Sequence, residues 1–153
     1  LISRAFGLGE EATPEEGNEI AGLASITNAR GAKLQTRIWP AATTSPSALV
    51  VFCHGYGTSS THNAAWQRVA EMLTSCGMVC AGLDYMGHGH SEGRRNIIES
   101  LDSVVDDVLQ FIDEVLRPRY SSLPIFLRGQ SLGGIVSLAV ALRRPELFSG
   151  LAL

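Results

Sequence analysis

Apolar and polar positions alternate at residues 33–39, where Leu34, Thr36 and Ile38 oppose Lys33, Gln35 and Arg37. With a second strand-like stretch at 24–28 and a turn at 29–32, this predicts a half-exposed antiparallel hairpin. The pattern then changes. Residues 48–53 form an unbroken apolar run bounded by a Pro/Ser/Thr stretch and glycines, and further runs stand at 78–83, at 124–127 and from 150 onward. Such runs predict strands covered on both faces, and intervals of about 25 to 45 residues leave room for crossover helices between parallel neighbours.

The intervals carry the helical period. Leu101, Val104, Val105, Val108, Leu109, Ile112, Val115 and Leu116 share one face, while Asp102, Asp106, Asp107, Gln110, Asp113 and Glu114 occupy the other, read as a solvated exterior. Trp66, Val69, Ala70 and Leu73 mark another helix, and the nearly all-apolar stretch 135–142 predicts a buried one. The sum is an α/β fold with a mostly parallel, doubly wound sheet and an N-terminal antiparallel hairpin. Residues 1–22 show little hydrophobic period and read as a mobile lead-in, with 23–153 as the folded part.

Composition narrows function by exclusion. Lys+Arg number 12 against 15 Asp+Glu in 153 residues, a net charge of −3, so no basic field is available for nucleic acid. No apolar run approaches the roughly 18 residues of a membrane-spanning helix. Three cysteines, Cys53, Cys76 and Cys80, fit no Cys-x-x-Cys or zinc spacing. They read as reduced thiols in a cytoplasmic setting, with a Cys76–Cys80 redox pair as the weaker reading.

Three segments carry candidate chemistry. Gly129-Gln130-Ser131-Leu132-Gly133, with Gly134 next, joins a predicted strand directly to a predicted helix. A G-x-S-x-G turn in that context is a nucleophile elbow, because so tight a reversal leaves no room for side chains beside the serine and presents its hydroxyl at a helix N-terminus. His54-Gly55-Tyr56-Gly57 follows the strand at 48–53, and a glycine bend there frees backbone N–H groups for an oxyanion. His54 itself reads as a satisfied structural histidine. The loop 84–93 holds His88 and His90, two histidines without a third convergent ligand, so it reads as a structured turn in which Asp84 and Ser91 bond backbone groups, and no metal or other cofactor is expected.

Together these segments resemble the serine hydrolases of the α/β-hydrolase fold, within them the monoacylglycerol lipase and lysophospholipase-like group and its plant esterases. The resemblance runs from about residue 24 to 153 and rests on His-Gly-x-Gly followed by Trp66, on Gly-His-Gly-x-Ser-Glu-Gly at 87–93, and on Gly-x-Ser-Leu-Gly-Gly at the elbow. It implies Ser131 as nucleophile and the backbone N–H groups of Tyr56 and Leu132 as the oxyanion hole. The family more often has Met at the Leu132 position, which matters little where only the backbone is used, and Gln130 is a less usual neighbour of the serine.

The fold places its triad acid and histidine after the serine, yet no Asp or His follows Ser131, and Glu146, directly after Pro145, is a poor triad member. All four histidines, His54, His62, His88 and His90, precede it. With an apolar run at 150–153 and no initiator Met, this reads as the N-terminal part of a longer chain whose lid, acid and histidine lie elsewhere. The expected activity of the parent is hydrolysis of a small hydrophobic or lipid-like carboxylic ester through an acyl-enzyme, with at most peripheral membrane contact. The piece alone is expected to be inactive and sticky. A non-catalytic ligand-binding or scaffold member of the fold, or an acyltransferase using the same serine, are the alternatives, and oligomeric state has no signature in these residues.

Overall fold

The structure, a computed structural model, describes residues 22–153. The lead-in expected at 1–22 therefore lies outside the described residues but for Gly22. Six strands form one mixed sheet in the order β1-β2-β4-β3-β5-β6. β1 (Leu23–Thr27) and β2 (Lys33–Trp39) are the antiparallel hairpin, closed by a turn in which Asn28 Oδ1 accepts from the Arg30 and Ala32 N–H groups and Gly31 takes φ +83°. β2 also runs antiparallel to β4 (Met78–Leu83), whereas β3 (Ala48–Cys53), β4, β5 (Ile125–Gly129) and β6 (Phe148–Ala152) are mutually parallel.

Alternating side chains send the apolar strands into two separate cores. On one face Val50, Phe52 and Cys80 pack with Trp39 against Trp66 and Ala70 of α1 (Ala64–Ser75). On the other, Leu49, Val51, Cys53, Val79, Ala81 and Leu127 meet Val104, Val105 and Val108 of α2 (Leu101–Phe111) and Val136 and Val140 of α4 (Leu132–Arg143). The connection after β3 thus lies over one face and that after β5 over the other. Adjacent parallel strands whose connections diverge in this way leave a crevice at their carboxyl ends, the usual ligand position in doubly wound sheets.

Several details depart from the sequence pattern. Asp107, placed on the solvated face, is buried. Its carboxylate accepts from Asn28 Nδ2 at 3.1 Å and from Arg30 at 2.5 Å, tying the hairpin turn to α2, and burial pushes its pKa up against the pull of Arg30 and Asn28. Phe111, absent from the predicted stripe, is buried, while Leu101 is exposed. Past Phe111 the helix widens to a π-turn (Ile112–Leu116) before α3 (Arg117–Tyr120), with the Arg117 N–H reaching back to the Ile112 carbonyl. Pro118 follows directly and has no N–H to offer an α-helical ladder.

The stretch 135–142 is not buried all round. α4 buries only the stripe of Gly133, Val136, Ser137 and Val140, leaving Ile135, Leu138 and Leu142 at 57%, 48% and 72% exposure. A helix in a layer against a sheet buries the strip facing that sheet, and no element among the described residues covers the opposite one. For the same reason β5 and β6 are not covered on both faces, and Phe126 and Leu151 are exposed.

Candidate active site

β5 ends at Gly129 and α4 starts at Leu132, so Gln130 and Ser131 make the whole reversal. Ser131 adopts φ 55°, ψ −121°, a backbone conformation that side chains other than hydrogen strongly resist. Its neighbours show why they are glycine. A Cβ on Gly133 would stand 1.9 Å from the Cys53 carbonyl oxygen, and one on Gly129 would stand 2.3 Å from that of Gly133. The missing side chains let α4 rest directly on the end of β3. Gly134, by contrast, faces open space, so the second glycine of the pair meets no steric demand.

The bend after β3 lies against this elbow. A Cβ on Gly55 would meet the Gln130 carbonyl at 3.3 Å and the Ser131 Cβ at 3.6 Å. Among the described residues, neither the Tyr56 nor the Leu132 N–H donates to another group, although the turn around them is otherwise bonded, with Gln130 N–H to the Cys53 carbonyl and Gly133 N–H to that of Gln130. Leu132 follows Ser131 in the chain, and Tyr56 follows Gly55, the glycine that packs against Ser131. A groove of about 370 Å³ opens beside Ser131, lined by Ala65, Trp66, Val69, Arg128 and Gln130 among others, with the Arg128 guanidinium stacked 5.0 Å over the Trp66 ring.

His54 is held as a structural group. Its Nδ1 donates to the Gly55 carbonyl at 2.7 Å, its Nε2 accepts from the Tyr85 N–H at 3.1 Å, and its ring stacks on Tyr85 at 3.9 Å. The bond accepted at Nε2 needs the neutral ring. Burial pushes its pKa down from 6.5 to about 4, only partly offset by the Gly55 carbonyl and Asp84. Between these values the unfolded chain binds the proton and the folded one does not, so stability is full above pH 6.5 and is lost as pH falls toward 4. The loss from this residue is on the order of 3 kcal/mol. Thermal unfolding midpoints are expected to fall through that window, and His54→Gln, which takes up no proton, is expected to flatten the fall.

The bend is braced from beneath by Asp84, whose role exceeds the turn bonding read from sequence. Its buried carboxylate accepts from the Ser60 and Thr61 N–H groups at 2.8 and 3.0 Å, from Thr61 Oγ1 at 2.6 Å and from the His90 N–H at 3.3 Å. It thereby joins the 58–62 loop to the 84–93 loop. Ser91 donates to the Asp84 carbonyl at 2.6 Å and accepts from the Gln35 N–H, extending the brace to β2. No pattern in Ser60-Thr61 announces this contact, because the partners lie 23 and 24 residues away.

The remaining histidines separate. His88 is buried edge-on to Tyr56, while His90 is exposed and packs on His62 at 3.9 Å between ring centroids. Among the described residues no three His, Cys, Asp or Glu side chains converge as a metal site. Among the described residues Ser131 forms no hydrogen bond with any of the four histidines. Cys53 and Cys80 are buried and burial pushes their thiols up to about 11 and about 12, whereas Cys76 is exposed. Among the described residues no helix is long and apolar enough to cross a membrane.

Comparison with known proteins agrees with this layout. Residues 44–153 match the family described as serine aminopeptidase, S33. A monoglyceride lipase of Mus musculus is 39% identical over 131 residues, 86% of this chain and 42% of its own length, and one of Homo sapiens is 36% identical over the same span. A carboxyl esterase of Bacillus coagulans solved with glycerol superimposes with a TM-score of 0.72 at 20% identity, over 84% of this chain and 42% of that one, a likeness of fold. The chain thus spans about two fifths of the length of the curated relatives it matches.

Proposed function

The chain belongs to the serine aminopeptidase S33 family of α/β-hydrolases, and we propose that the protein carrying it hydrolyses carboxylic esters of lipid-like alcohols or acids with Ser131 as nucleophile. The observation that carries this reading is the strained Ser131 at the end of β5, next to the Gly55 bend at the end of β3, with the N–H groups of Tyr56 and Leu132 bonded to no other group among the described residues. The names of the relatives, monoglyceride lipases, supply the substrate class.

In the first step Ser131 Oγ attacks the ester carbonyl carbon, its proton passes to a histidine contributed from outside these residues, and the oxyanion is held by Tyr56 and Leu132. Collapse of that intermediate expels the alcohol, which takes the proton, and leaves an acyl-serine that water cleaves by the same route. His54 is not the base: both ring nitrogens are already bonded and its proton affinity is too low for the task at neutral pH. Residues 1–153 alone therefore hydrolyse esters poorly.

A fluorophosphonate probe tests the reading. Tryptic mapping of the labelled full-length protein should find the adduct on Ser131, and a folded full-length protein that takes up no label overturns the assignment.

A further inference from the structure

The Tyr56 peptide lies between Gly55 and Gly57, the latter at φ +70°, so the local backbone does little to hold it. Burial does not hold the side chain either, since Tyr56 is 61% exposed. Two contacts fix it from another loop. Its hydroxyl donates to the Asn96 carbonyl at 2.6 Å, and His88 meets its ring edge-on at 5.5 Å between centroids.

Asn96 is placed for this. It and Ser131 are the non-glycine residues with positive φ among the described residues, Asn96 at 56°. Asparagine tolerates the left-handed region better than most side chains. The turn is anchored by the Asn96 N–H on the Gly87 carbonyl at 2.9 Å and by the Ile97 N–H on that of Arg94 at 3.1 Å, which leaves the Asn96 carbonyl free to accept the hydroxyl. Gly87 takes φ +77°, and a Cβ there would stand 2.3 Å from the Arg94 carbonyl oxygen, so the two turns are interlocked. Backbone strain and one exposed hydrogen bond nearly cancel in stability, so the pair is poorly explained as a stabilising contact.

We infer that the Tyr56 hydroxyl and the Asn96 carbonyl form a strap that holds the Tyr56 backbone N–H on the oxyanion, which makes Tyr56 through its side chain, and Asn96, positioning residues for the ester chemistry. This rests on the function proposed above. Losing a whole oxyanion donor costs about 10²- to 10³-fold in rate, and a donor that is present but loosely aimed costs part of that.

In the full-length protein, Tyr56→Phe is expected to lower kcat about tenfold with KM changed less than about twofold. It should weaken a trifluoromethyl ketone, whose hemiketal carries the oxyanion, by the same factor while leaving the melting temperature unchanged. Asn96→Val, strained at this φ, should reproduce the loss, Asn96→Gly should retain the rate, and the double variant Tyr56→Phe/Asn96→Val should be no slower than either single one. Wild-type kcat in Tyr56→Phe, or additive losses in the double variant, overturns the strap when Ser131→Ala abolishes hydrolysis. Full hydrolysis by Ser131→Ala instead removes the nucleophile assignment and the strap with it.

Discussion

Ser131→Ala is expected to lower ester hydrolysis by the full-length protein about 10⁴- to 10⁶-fold, because the hydroxyl has no substitute and the oxyanion donors alone give only residual catalysis. Ser131→Gly should be equally inactive but more stable than Ser131→Ala by about 1 kcal/mol. The reason is the backbone: at φ 55°, ψ −121° any side chain is strained, at a cost of about 1 to 3 kcal/mol, and glycine gives back part of that relief through its freer unfolded state. Initial rates on a short-chain p-nitrophenyl ester and paired thermal melts check both halves. Equal stability of the two variants would mean that the elbow stores no strain.

Gly133→Ala carries the second large effect. Helix propensity alone predicts a gain of about 1 kcal/mol, since Gly133 lies in the first turn of α4. Packing predicts the reverse: the added Cβ would stand 1.9 Å from the Cys53 carbonyl oxygen and 2.7 Å from that of His54, both rigid backbone at the end of β3. Either α4 lifts from the sheet or the bend carrying Tyr56 moves, and a loss of about 4 kcal/mol or more is expected, with activity lost as well. Gly134→Ala, one residue on and facing open space, serves as the control and should be neutral or stabilising by up to about 1 kcal/mol. Denaturant midpoints of the two variants measured side by side decide the matter, and similar midpoints would refute the close contact.

Much of the frame was legible because it depends on periods of two and of 3.6. The hairpin, the four apolar strands, the crossover helices and the glycines around Ser131 follow from local pattern and from the room a tight reversal needs. Asp107 shows where such reading stops. Its spacing on α2 belongs to the polar face, yet Asn28 and Arg30 of the hairpin turn reach over to it and let it be buried. In the other direction, Ile135, Leu138 and Leu142 read as interior from composition but stand exposed, because hydrophobicity does not say which neighbour covers a face.

The sequence by itself determined the element types and the elbow glycines, which are set by interactions within a few residues, and the parallel arrangement with its antiparallel start, which the lengths of the connections impose. Only the tertiary structure decided which residues Asp84 braces and that Tyr56 is tied to Asn96, 40 residues away. Hydrogen bonds between loops depend on distances and directions that the packing of β3, β4 and β5 sets, and those are properties of the assembled sheet.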